Sequence, residues 1–284
     1  MCKWGIGMDM NWLQSLLYGL LSGFTEFVPV SARAHESIMQ VLFGVDKQPL
    51  LQLFVNIGTM AALLVSCVGQ ISRIRREERL AKVPRKRRKR QPDVRQLLDV
   101  KLLKIAALPI LIATIFWLKT STFSGNLCIV SIFLILNGMI LYLPEHLPGG
   151  NKDSRNLSPL DGLLIGLSGA LSVLPGVSRI GAASSVAAVR GADRQYALNL
   201  SLLLSIPVMT LLLILDVYFV ATAGLTGVTF LVILQCLLSS LTAYFGAYSA
   251  IMLMRFLSVK AGFSGFAYYS WGAALFSFIL FLMT

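Results

Sequence analysis

Six runs of about twenty or more mostly apolar residues constrain this chain more than any other feature. They lie near residues 50–71, 99–118, 125–144, 196–220, 226–253 and 262–283. As helices, runs of that length cross the roughly 30 Å hydrocarbon layer of a bilayer. Mean hydropathy is +0.74. Only 13% of the 284 residues are charged, where a soluble domain carries about 25%. Too little polar surface exists to face water, so lipid must cover the rest. The expected fold is all-α and polytopic, within one integral membrane domain.

Two further apolar regions, 11–44 and 158–190, are not simple spans. Each is interrupted in its middle by Gly, Pro and Ser. A broken helix at membrane depth leaves N–H and C=O groups without partners, and survives only inside protein or against a wet cavity. Both regions therefore read as re-entrant helix pairs. They also resemble each other. Ser22-Gly23-x-x-Glu26-x-x-Pro29 recurs as Ser168-Gly169-x-x-Ser172-x-x-Pro175, and each copy is followed by a serine (Ser31, Ser178) and an arginine (Arg33, Arg179). Six spans plus two such pairs suggest inverted-topology repeats, with approximate halves 11–144 and 158–284 and a site where they meet.

Charge orients this layout. The net charge is +12, and residues 73–95 hold twelve basic residues against three acids, a local excess of +9. Such a run can bind anionic lipid or nucleic acid, but between two spans it reads first as a cytoplasmic retention signal. With loop 72–98 inside, Lys152, Arg155, Arg190, Arg194, Arg255 and Lys260 also fall inside, and only Lys3, Lys47 and Lys119 fall outside. Nucleic acid is not an expected partner. Membrane lipid is, and a second copy of the chain is a candidate. The four cysteines, Cys2, Cys67, Cys128 and Cys236, form no CxxC or Cys/His cluster, so neither a disulfide framework nor a zinc site is expected. The N-terminus lacks the pattern of a removable signal peptide.

Glu26, His35, Arg179 and Asp216 fall in or beside apolar stretches. Ionisable groups there cost several kcal/mol unless paired or facing a cavity. If the two breaks meet, Arg179 offers a planar fork that matches phosphate oxygens. The helix start after Pro175-Gly176 adds backbone N–H groups. Glu26 is an acceptor or metal ligand, and His35 a nucleophile or an acid and base. Together they describe a site for a phosphate ester whose apolar part lies in lipid. A bland reading stays beside it: Glu26 and Arg179 could be a structural pair, Asp216 an interfacial acid and Asp161 a helix cap.

At these residues the chain resembles the undecaprenyl-pyrophosphate phosphatase (bacitracin-resistance) family. Gly23-Phe24-Thr25-Glu26-Phe27-Val28-Pro29-Val30-Ser31, with His35 four residues on, resembles E-G-x-T-E-F-x-P-V-S-S-T-G-H. Pro175-Gly176-Val177-Ser178-Arg179-Ile180-Gly181-Ala182 resembles P-G-x-S-R-S-G-A-T. The resemblance implies removal of the terminal phosphate from a C55 isoprenoid lipid pyrophosphate at the bacterial plasma membrane, for lipid-carrier recycling. It further implies a pocket opening to the outer face and dependence on a divalent cation such as Mg or Ca. Glu26, His35 and Arg179 carry over as catalytic residues, with Glu26 the candidate metal ligand. Ser31, Arg33, Gly176, Ser178 and Ser22 are the candidate substrate-binding set.

The departures are specific. Ser22 stands where the family has its first glutamate, Ala32 and Arg33 replace a serine and a threonine, and Ile180, Ala183 and Ser270 replace Ser, Thr and Arg. Arg33 is thereby a candidate fixed cation. The alternative function is a non-catalytic lipid-phosphate binder or flippase derived from the same family.

Overall fold

A computed structural model describes residues 10–46, 48–84, 93–120, 125–147, 150–153, 155–223, 228–260 and 263–284. Ten α-helices account for it, with no β-strand among the described residues: α1 Trp12–Phe27, α2 Ala32–Phe43, α3 Pro49–Lys82, α4 Val94–Thr120, α5 Leu127–Tyr142, α6 Pro159–Ala170, α7 Arg179–Val189, α8 Arg194–Ala223, α9 Phe230–Lys260 and α10 Ser264–Met283. Among the described residues, α3, α5, α8, α9 and α10 are long and apolar enough to cross a membrane. The chain is an all-α, multi-pass membrane protein. α4 has 27 residues, about 40 Å of helix, but carries Asp99, Lys101 and Lys104 near its start.

The stretch expected to be a basic loop over 72–98 is shorter than that. α3 continues through Arg73, Arg75, Arg76 and Arg79 to Lys82, and α4 begins at Val94. Arg, Lys and Glu are strong helix formers, so charge ended the hydrophobic run without ending the helix. The densest part of the basic run, 85–90, lies outside the described residues.

The two broken regions fold as helical hairpins. In the first, the two helices are bridged by Gln52, which accepts a hydrogen bond from the Tyr18 hydroxyl of α1 and donates to Glu36 of α2. In the second, Arg190 just beyond α7 pairs with Asp161 in the first turn of α6. Their helices have 16, 12, 12 and 11 residues, about 17–24 Å each, so each falls short of a roughly 30 Å layer. The local sequence accounts for their ends. Asn11 and Gln14 form a capping box at α1, and Ser158 and Asp161 form another at α6, with Pro159 at the first helical position. Asp161 is a cap, as its sequence context indicated.

Small residues bring these hairpins against long helices. A Cβ on Gly19 or Gly23 of α1 would run into the backbone of Ser239 or Ala243 in α9, and one on Gly166 of α6 into the Ala106 backbone of α4. Close backbone approach of this kind is how helices associate where water supplies no driving force. Contacts rise together along both pairs, Gly19 with Ser239 then Gly23 with Ala243, and Gly162 with Leu102 then Gly166 with Ala106. α1 thus runs parallel to α9, and α6 to α4. α5 and α10 run antiparallel, since Leu127 meets Ser277 while Ile135 meets Trp271. α1 packs on α9 and α6 on α4, and α3 packs on α9 and α8 on α4.

Candidate functional site

The tips of the two hairpins meet. Between α1 and α2 the chain turns through Val28–Ser31, and Ser31 takes φ 67°, a left-handed conformation costly for a residue with a Cβ. Ser31 makes no capping bond to α2. Its Oγ instead accepts the Gly176 N–H of the other tip at 3.2 Å. Gly176 sits at φ 125°, where a Cβ would strike Phe133 and the Leu134 backbone, so only glycine fits. Ser178 is an ordinary N-cap, accepting the Gly181 N–H.

One side chain joins both tips from outside them. Asn137 of α5 is fully buried. Its Oδ1 accepts the Ser178 N–H at 2.9 Å, and its Nδ2 donates to the Pro29 carbonyl and the Ser270 hydroxyl at 3.0 Å each. It thereby satisfies backbone groups that the breaks leave without helical partners. Sequence reasoning missed Asn137. The available signal was a lone amide inside the apolar run 127–142.

The charged residues converge on the same contact. The Arg179 guanidinium, 7% exposed, donates to Glu26 of the first hairpin and, through Nε, to the buried Ser205 hydroxyl at 3.2 Å. Arg33, in the first turn of α2, donates through Nη1 to the Val173 carbonyl of the second hairpin at 2.9 Å. A cavity of about 40 Å³ lies between them, lined by Glu26, Ser31, Ala32, Arg33, Ser172, Val177, Ser178, Arg179 and Leu212. It has room for about one water. Of the sequence-derived candidates, Glu26, Ser31, Arg33, Ser178 and Arg179 line it, and Gly176 adjoins it through Ser31. Ser22 lies one helical turn before Glu26, with its hydroxyl buried.

His35 is not among the lining residues. Its Nδ1 lies 2.8 Å from the Ser31 carbonyl, and its Nε2 lies 2.8 Å from the Tyr269 hydroxyl of α10. A carbonyl can only accept, so Nδ1 carries the proton and the Nε2 lone pair accepts from Tyr269. Tyr269 was not singled out from sequence. Asp216 is buried and accepts from Asn56 at 2.6 Å. Asn56 also lies 3.5 Å from Gln52, which completes a polar chain to Glu36 and Tyr18.

The residues present do not fit a protein-held divalent cation. Glu26 is the one carboxylate lining the cavity, and it is engaged by Arg179. The position one turn before it offers a serine hydroxyl. Among the described residues no three His, Cys, Asp or Glu side chains group as a metal site. Calcium takes about six to eight oxygens, and magnesium one or two carboxylates with waters and substrate phosphates; the carboxylate here is already bound to a guanidinium. What the arrangement offers instead is two guanidinium groups and the α7 N-terminus around one small cavity, which favour an anion, with the Glu26 carboxylate held against Arg179.

Comparison with known proteins agrees with the motifs at the tips. The chain matches the family described as bacitracin resistance protein BacA over residues 15–276. It is 30% identical over 278 residues to an undecaprenyl-diphosphatase of Methanobrevibacter smithii, covering 92% of this chain and 95% of the relative. It is also 30% identical over 265 residues to one from Carboxydothermus hydrogenoformans, covering 92% and 94%. With one from Nocardia farcinica the identity is 32% over 235 residues, covering 72% and 75%. The likeness spans both hairpins and the helices that carry them, and the chain belongs to the bacitracin resistance protein BacA family.

Proposed function

We propose that the chain hydrolyses a polyprenyl pyrophosphate, of the undecaprenyl class, to the monophosphate and inorganic phosphate. The observation that carries this reading is the Glu26–Arg179 pair, which joins the two hairpin tips at the rim of the cavity. The names of the relatives give the substrate class.

In this reading Glu26 holds the place of a phosphate. A bidentate carboxylate and a phosphate present similar oxygen pairs to guanidinium. Glu26 occupies Arg179 while the pair is closed, so in this reading phosphate binding displaces Glu26 from Arg179. Arg179 and the first-turn N–H groups of α7 then hold the terminal phosphoryl group, where charge builds as the bridging P–O bond breaks. The freed Glu26 and the His35 Nε2 lone pair are the groups available to take a proton from the attacking water, or to attack directly, in which case water then cleaves the phospho-enzyme bond to release inorganic phosphate. The lipid monophosphate departs with the bridging oxygen. Tyr269 must release Nε2 for that step.

The topology belongs to the same proposal. Six spans, with α4 the sixth, and two re-entrant hairpins entering from opposite faces account for the short hairpin helices and the helix pairings. The parallel α1–α9 and α6–α4 pairs and the antiparallel α5–α10 pair suit the orientation that keeps the basic segment cytoplasmic. The plasma membrane and an outer-face opening follow from the family reading.

The test is phosphate release from undecaprenyl pyrophosphate by the purified chain. We expect steady release, reduced about a hundredfold or more in Arg179→Ala, Glu26→Ala and His35→Ala. Tight binding of the lipid without release would identify a lipid-phosphate binder instead.

A further inference from the structure

We propose that this chain neutralises the pyrophosphate with a clamp of two arginines, Arg33 and Arg179, in place of a carboxylate-held divalent cation. The inference rests on the phosphatase reading for its ligand, but it concerns what holds the charge. Arg33 and Arg179 come from different hairpins and line one cavity. Each is fixed by a contact across the tips, Arg33 to the Val173 carbonyl and Arg179 to Glu26, and Arg179 is held further by Ser205 of α8. Arg33 lies within electrostatic reach of Glu26, Glu36 and Arg179. Two guanidinium groups converging where the dielectric is low repel each other. Of the two nearby carboxylates, only Glu26 lines the cavity. Two guanidinium groups at one cavity match the several anionic oxygens of a pyrophosphate.

The surroundings support a fixed cation over a mobile one. Glu26 alone, already paired with Arg179, is a weak anchor for a metal clamp at this tip. The residue one turn back on the same face of α1 is Ser22, which offers a buried hydroxyl and no carboxylate. Guanidinium is permanently charged and offers five N–H donors in a plane. Two such groups can bind several phosphate oxygens without a metal shell. The second carboxylate is missing and the extra guanidinium is present at the same tip, which is the pattern expected if one has replaced the other.

The test measures binding separately from turnover. The probe is a non-hydrolysable isoprenyl methylenediphosphonate, titrated into purified chain in nanodiscs with excess EDTA or with millimolar Mg²⁺ or Ca²⁺. We expect wild-type affinity to change less than threefold between these conditions. R33T should weaken binding at least tenfold in EDTA, with R33K between them. S22E/R33T should bind tightly only with the divalent ion, having regained a carboxylate pair and lost the second guanidinium. Melting temperatures of all variants, measured without ligand, separate misfolding from lost affinity, and R33K carries the comparison if R33T does not fold. A wild-type affinity that falls tenfold or more in EDTA overturns the clamp, as does full affinity in folded R33T. Metal-independent binding without phosphate release leaves the clamp standing and sinks the hydrolytic reading alone.

Discussion

The two hairpin tips solve one problem in different ways. Each must turn the chain at membrane depth while keeping its backbone groups bonded. The second tip uses common devices: a glycine at the positive-φ position and a serine that caps the following helix. The first tip places serine at φ 67°, gives that serine no capping role, and turns its hydroxyl to the other hairpin. The second tip is thus built for local stability. The first accepts strain to make a contact across the interface, and it also carries Glu26, Arg33 and His35. Strain concentrated at the tip with more of the chemistry fits a site assembled only when both tips are in place.

The largest effect that could break this comparison is expected at Gly176. Gly176→Val forces a Cβ into Phe133 and a β-branched residue into positive φ. Strain and overpacking together should cost about 3–5 kcal/mol, read as a drop in melting temperature and yield in detergent. Retention of wild-type stability would show that the second tip is not the rigid partner. A smaller contrast separates the two serines. Ser31→Ala orphans the buried Gly176 N–H, at about 2 kcal/mol, whereas Ser178→Ala removes a cap, at about 1 kcal/mol. Turnover should fall further in Ser31→Ala, because its hydroxyl spans the tips. Equal effects would erase the distinction.

The smallest effect lies at the open end of the second hairpin. Burial raises the Asp161 carboxyl, but the Ser158 N–H and hydroxyl and the Arg190 guanidinium outweigh it and hold the group below its ordinary 3.8. A lowered folded-state value adds stability above about pH 4 that is lost as pH falls through the folded value. Melting temperature between pH 5 and pH 2.5 should therefore fall more steeply in wild type than in Asp161→Asn. Parallel curves would mean the pair adds nothing there.

Much of this was legible in the sequence, for stated reasons. Long apolar runs fix spans because the bilayer has a fixed thickness, and Ser158-Pro159 fixes a helix start through its own side-chain chemistry. Glu26 and Arg179 were legible as partners because neither is affordable alone at depth. Asn137 and Tyr269 were not, because an amide or a phenol among apolar residues announces a partner without naming it. His35 was expected to share the cavity. The structure turns its Nε2 to Tyr269 instead, through a contact between α2 and α10 that no local pattern encodes. The basic loop was read too long because charge marks the membrane boundary while helix propensity marks the helix end, and in α3 these lie about ten residues apart.

The central claim is that the two tips form one phosphate site through Glu26 and Arg179. A double-mutant cycle on phosphate release tests it most directly, using Glu26→Gln, Arg179→Gln and the combination. The account predicts strong non-additivity: each single change lowers kcat/KM about a hundredfold, and the double variant is little worse than either. Single effects that multiply in the double variant would contradict it, since residues that act independently do not share a site.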